Sequence, residues 1–63
     1  MDGMKLRELR RASGKTLRQI SYEADTTVIT ILNIETNKTP NPGIKTLLAI
    51  AKAIGCKLSD FAE

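Results

Sequence analysis

The stretch TTVITILNIE, Thr26 to Glu35, decides the fold. Its first six residues, Thr26 to Ile31, are all β-branched and form the strongest strand signal in the chain. A strand here has no partner, however. No other run alternates with period two, and an isolated strand leaves its N–H and C=O groups unpaired. Helix propensities of ordinary residues differ by less than ~0.7 kcal/mol each, which packing overrides. As a helix the stretch is coherent: Thr27 caps it, Ile31 and Ile34 fall three apart on one face, and Asn37 ends it in the left-handed conformation. The spacing predicts a helix over 28–36.

The flanks read as helices too. In MKLRELRRAS, Leu6 and Leu9 are three apart among strong helix formers, and Gly14 is placed as a stop, so a helix is predicted over 4–13. In TLRQISYEA, Thr16 and Gln19 match a capping box, and Leu17, Ile20 and Ala24 form an apolar stripe over 17–24. Ser21 is small enough to admit another helix closely. After the polar loop TNKTPNP, a helix over 42–54 is predicted, with Asn41 as cap, Pro42 at its first position and Gly55 at its end. Ile44, Leu47, Leu48, Ala51 and Ile54 are expected along its inner side. A short terminal helix over 58–62 brings Leu58 and Phe61 to close the core. The expected architecture is all-α, a compact bundle of five short helices forming a single domain over 1–63. Met4 is as good a beginning as Met1.

Composition narrows the function. A chain of 63 residues hides only about 60% of the surface it exposes when unfolded, so a binding surface is easier to support than a buried catalytic cavity. There is no histidine, and the single cysteine, Cys56, stands among Ile54, Leu58 and Phe61 as a small core residue. This excludes an internal disulfide, a Cys/His metal site and any triad built on histidine. No catalytic residue, cofactor, metal or small-molecule substrate is expected, and an enzyme is not. No apolar run approaches the ~20 residues that span a membrane. The net charge is +3, and Lys5, Arg7, Arg10, Arg11, Lys15 and Arg18 crowd the first eighteen residues. That bias is compatible with nucleic acid or with a solvated helix face.

A helix, the short turn ADTT and a second helix form the order of a helix-turn-helix. With LRELRRASGKTLRQIS before the turn and ILNIE, NKTPNP and TLLAIAKAIG after it, the chain resembles the phage-repressor and Cro-like, or XRE-type, DNA-binding domains from about Lys5 to Phe61. Ile20-Ser21 stands where that family has a Leu-Ala pair, Ile31 and Ile34 are the inward pair of the recognition helix, and Glu35 closes it. Three positions depart from the pattern. Asp25 replaces a left-handed glycine, Thr26 replaces a buried valine whose site leaves a hydroxyl in need of a partner, and Leu17 replaces a phosphate-holding glutamine.

The resemblance implies a cytoplasmic, nucleoid-associated transcriptional regulator, a repressor by expectation, that binds double-stranded DNA sequence-specifically. It places Thr27, Val28, Ile29 and Asn33 at base edges in the major groove. Asn33 has the groups to pair with adenine N6 and N7, while Val28 and Ile29 suit thymine methyls, so A/T-containing half-sites are expected. Arg10, Arg11, Arg18, Asn37, Lys38 and Thr39 are the phosphate-binding candidates, and an Arg10–Glu35 ion pair is expected to tie the first helix to the recognition helix. Lys45, Lys52 and Lys57 are read as solvent-facing. A two-fold operator and a weak homodimer fit the same reading, for a whole protein or for the DNA-binding half of a longer one. The alternative is a protein-interaction module, in which Val28, Ile29 and Leu32 form an exposed apolar patch for dimerisation or another partner.

Overall fold

In the computed structural model, residues 2–39 and 41–62 are described; Met1, Glu63 and Pro40 of the TNKTPNP loop lie outside them. The helices are α1 (Gly3–Ser13), α2 (Leu17–Glu23), α3 (Val28–Glu35) and α4 (Ile44–Ile54), and a single 3-10 turn follows at Leu58–Asp60. The β-branched run is thus helical. Local signals account for most of the boundaries. Thr16 and Gln19 form the expected capping box, Thr27 Oγ1 accepts from the backbone of Thr30, and Gly14 and Gly55 end α1 and α4 with φ of 77° and 89°.

The architecture is all-α, but the fifth helix is not formed. Residues 58–60 make one 3-10 turn, because five residues cannot offset the cost of nucleating an α-helix. Leu58 still packs on the core and Phe61 is buried in it. The fourth helix begins two residues later than the sequence pattern predicts. Neither Asn41 nor Pro42 opens it; Gly43, extended at φ −62° and ψ 144°, is the cap and contributes no side-chain hydrogen bond. The first helix starts one residue earlier than expected, and the second and third each end one residue sooner.

The core takes fully buried side chains from all four helices: Leu6 from α1, Ile20 from α2, Ile31 and Ile34 from α3, and Ile50 from α4. Leu9, Leu17 and Ile54 pack around them. On α4 the inner side differs from the expected one and runs through Leu47, Ile50, Ala51 and Ala53. Ile44 and Leu48, expected inside, are 57% and 51% exposed. The stripe with Ile50 is selected because it meets α2, the helix against which α4 packs most closely. Among the described residues, no helix is long and apolar enough to cross a membrane.

Asp2 and Gly3, ahead of Met4, belong to the fold. Asp2 caps α1, its Oδ1 accepting from the amides of Met4 at 3.1 Å and Lys5 at 3.3 Å, and its own N–H donates to the carbonyl of Phe61 at 3.0 Å. Asp2→Ala removes the cap and is expected to cost about 1 kcal/mol. In a domain of this size that lowers the melting temperature by roughly 4–8 °C, and an unshifted thermal melt would show that the cap contributes nothing.

Candidate nucleic-acid interface

The turn between α2 and α3 is built by backbone hydrogen bonds around one left-handed residue. Asp25, at φ 53°, donates to the carbonyl of Tyr22 at 3.3 Å, and Thr26 N–H donates to Ser21 at 2.9 Å. This pair satisfies the last carbonyls of α2 and reverses the chain into the Thr27 cap. The same motif closes α3. Asn37, at φ 61°, donates to Ile34 at 3.1 Å, and Lys38 donates to Asn33 at 2.8 Å. Both helices therefore end on an Asp or Asn where glycine is commonest, and these residues tolerate the conformation better than others do. Ser21 is buried, and its hydroxyl donates to the Arg18 carbonyl. No buried side-chain N or O among the described residues lacks a partner, so the hydroxyl of half-buried Thr26 does not create the expected problem.

With Ile31 and Ile34 buried against α1 and α2, the opposite side of α3 is open. Ile29 is 70% exposed, Leu32 and Thr27 are exposed, and Val28 and Asn33 are half-buried. Thr27 is less free than the sequence implies. Its hydroxyl caps α3 through the Thr30 amide at 3.1 Å and also pairs with Thr30 Oγ1 at 2.8 Å. Thr30 was not among the candidates, although its i, i+3 spacing from the capping threonine is visible in the sequence. The Asn33 side chain enters none of the described hydrogen bonds, while its carbonyl accepts from Lys38 and from Thr39.

Arg10 and Glu35 meet as a two-point pair. Arg10 Nε donates to Glu35 Oε2 at 2.7 Å and Nη2 donates to Oε1 at 3.1 Å, with side-chain exposures of 13% and 2%. The fork-to-carboxylate geometry fixes the rotation of α3 on α1 as a single hydrogen bond would not. Arg11 and Arg18 are exposed, as are Asn37 and Lys38, and Thr39 is half-buried. Lys15 from the basic cluster is held elsewhere, its ammonium bound to Glu23 Oε1 at 2.7 Å and to the Ala53 carbonyl. Lys45, Lys52 and Lys57 are exposed. Cys56 is half-buried and packs on the core; burial, reinforced by the Asp60 carboxylate, pushes its thiol up from its ordinary value and leaves it a poor nucleophile.

A family described as "Helix-turn-helix domain" matches residues 3–62. The chain belongs to that family. The XRE-type resemblance drawn from ADTT, ILNIE and the flanking helices is thereby shown. No curated protein matches the sequence. Among solved structures, the helix-turn-helix chain is similar to the solution structure of the N-terminal DNA-binding domain of the master biofilm-regulator SinR from Bacillus subtilis. The TM-score is 0.83 at 21% sequence identity, over 100% of this chain and 91% of that one. At that identity the likeness is one of fold, and it extends over the whole domain.

Proposed function

We infer that this helix-turn-helix domain binds double-stranded DNA sequence-specifically as a transcriptional regulator, with α3 in the major groove. The observation that carries the reading is the orientation of α3. Its inner side is fixed by Ile31, Ile34 and the Arg10–Glu35 pair, and its outer side, from Thr27 to Asn33, is open. The similarity in fold to a DNA-binding domain supports it. Asn33 reads adenine through its free amide, Val28 and Ile29 pack on thymine methyls, and Thr27 contributes mainly through its methyl because its hydroxyl is engaged. Arg11, Arg18, Lys38 and Thr39, with the amide of Asn37 and the spare donors of Arg10, hold phosphates. The remainder of the proposal is a repressor in the nucleoid, acting as a weak homodimer on a two-fold operator with A/T-containing half-sites.

Selection of bound sites from a random duplex pool tests the base-reading assignment. Asn33→Ala is expected to relax the consensus at one A·T position and to weaken binding there by about 1–3 kcal/mol. A consensus that survives the substitution unchanged removes Asn33 from base reading.

The exposure of Ile29 and Leu32 favours a second reading, a protein-interaction module on the same face. A polarisation assay with random duplex DNA at low salt separates the two. Absence of binding together with concentration-dependent self-association favours the module.

A further inference from the structure

Asn37 is engaged twice. Its left-handed backbone closes α3, and its side-chain Oδ1 accepts the N–H of Gly3 at 3.2 Å across 34 residues of sequence. That N–H is the first amide of α1, one of the donors a helix leaves without an internal partner. The start of α1 therefore abuts the end of α3, with the positive end of one helix dipole against the negative end of the other. The approach requires glycine. A Cβ at Gly3 would clash with the carbonyl oxygens of Ile34 and Glu35, lying 2.6 Å from the latter and 2.8 Å from its carbonyl carbon.

We propose that Gly3 and Asn37 form a latch that positions the segment following the recognition helix for a DNA phosphate, with Gly3 as a positioning residue acting through Asn37. The inference rests on the DNA-binding reading above. Holding Oδ1 on the Gly3 amide fixes the plane of the Asn37 carboxamide. Its two Nδ2–H donors enter none of the described hydrogen bonds and belong to an exposed side chain next to exposed Lys38. A donor pair already held in place loses little rotational freedom when it meets a phosphate oxygen. The carbonyl of Asn33 secures the same segment from below, accepting from Lys38 at 2.8 Å and Thr39 at 3.1 Å. Asn37 thus points its acceptor at α1 and leaves its donors for the ligand.

The test is fluorescence polarisation with random-sequence duplex DNA over a salt series, alongside circular dichroism. Asn37→Gly keeps the left-handed backbone and removes the latch. It is expected to remain folded and to bind about tenfold more weakly at every salt concentration, with the log K against log salt slope unchanged, because the lost phosphate contact is a neutral carboxamide that releases no counterion. Gly3→Ala, measured at a temperature where it is folded, is expected to lose the same affinity although Asn37 is intact. A purely structural role for Gly3 would move the melting temperature and leave the affinity of the folded protein alone. The double variant is expected to lose no more than either single one, as groups acting through one contact do. Wild-type affinity in Asn37→Gly overturns the latch, and does so even if Gly3→Ala fails to fold. Wild-type affinity in folded Gly3→Ala removes Gly3 from it. If the unmodified chain binds no duplex at low salt, the DNA-binding reading itself fails and takes the latch with it.

Discussion

Glu35→Ala is expected to destabilise the domain by about 3 kcal/mol, because it strands a mostly buried guanidinium without its carboxylate. Glu35 is the last residue of α3 and almost wholly buried, so its removal also opens space between α1 and α3. The figure lies at the low end for a broken buried pair, since Arg10 retains 13% exposure and a route to solvent. For a chain of this length, 3 kcal/mol corresponds to a fall of roughly 12–24 °C in melting temperature. Replacing both partners separates the two roles of the pair. Arg10→Met with Glu35→Leu leaves no stranded charge and is expected to restore most of the stability, as apolar replacements of buried ion pairs do. It does not restore the fork that sets the rotation of α3, nor the spare Arg10 donors, so DNA affinity is expected to stay low. Thermal melts of the single and double variants decide the matter. An unchanged melting temperature for Glu35→Ala would mean that the pair supports nothing.

What the sequence disclosed follows the range of the interaction responsible. Caps and helix ends depend on residues three to six apart, and Thr16 with Gln19, Thr27, Gly14, Gly55 and the left-handed Asn37 all stand where their spacing put them. The helical state of Thr26 to Glu35 needed one step more. Its β-branched composition pointed to a strand, and the absence of any partner strand outweighed it. Failures appear where the sequence was degenerate or the contact long-range. Residues 44–54 contain enough aliphatic side chains for two inner stripes, and only the position of α2 selects Ile50 over Ile44 and Leu48. Gly3 carries no local sign of its role, because the need for glycine arises from carbonyls more than thirty residues away. Asp2 is different: an aspartate ahead of a run of strong helix formers is a visible cap signal, which a helix beginning at Met4 leaves unused. At the interface, spacing located the outer positions of α3 but not the Thr27–Thr30 hydroxyl pair that occupies one of them.

Ile31 and Ile29 stand two residues apart on α3, and their alanine variants are expected to fail in opposite ways. Ile31 is fully buried between helices, and Ile31→Ala removes three carbons from a core with few side chains to collapse into the space. The expected cost is about 3–4 kcal/mol, within the range for large-to-small changes at such sites. Domains carry about 0.05–0.15 kcal/mol of stability per residue, so a loss of this size takes most of what a small one has. Ile31→Ala is therefore expected to melt far below the unmodified chain and to bind DNA only in proportion to its folded fraction. Ile29 is 70% exposed, and its truncation should change stability by no more than about 0.5 kcal/mol. Its effect is expected on DNA: loss of a thymine-methyl contact weakens the selected site by about 1–3 kcal/mol while random duplex binding, carried by phosphates, is unchanged. Equal destabilisation by the two substitutions would show that α3 is rotated differently. Full DNA affinity in a stable Ile29→Ala variant would leave the exposed isoleucine to a protein partner, because its apolar side chain offers a base edge nothing except a surface for the methyl group.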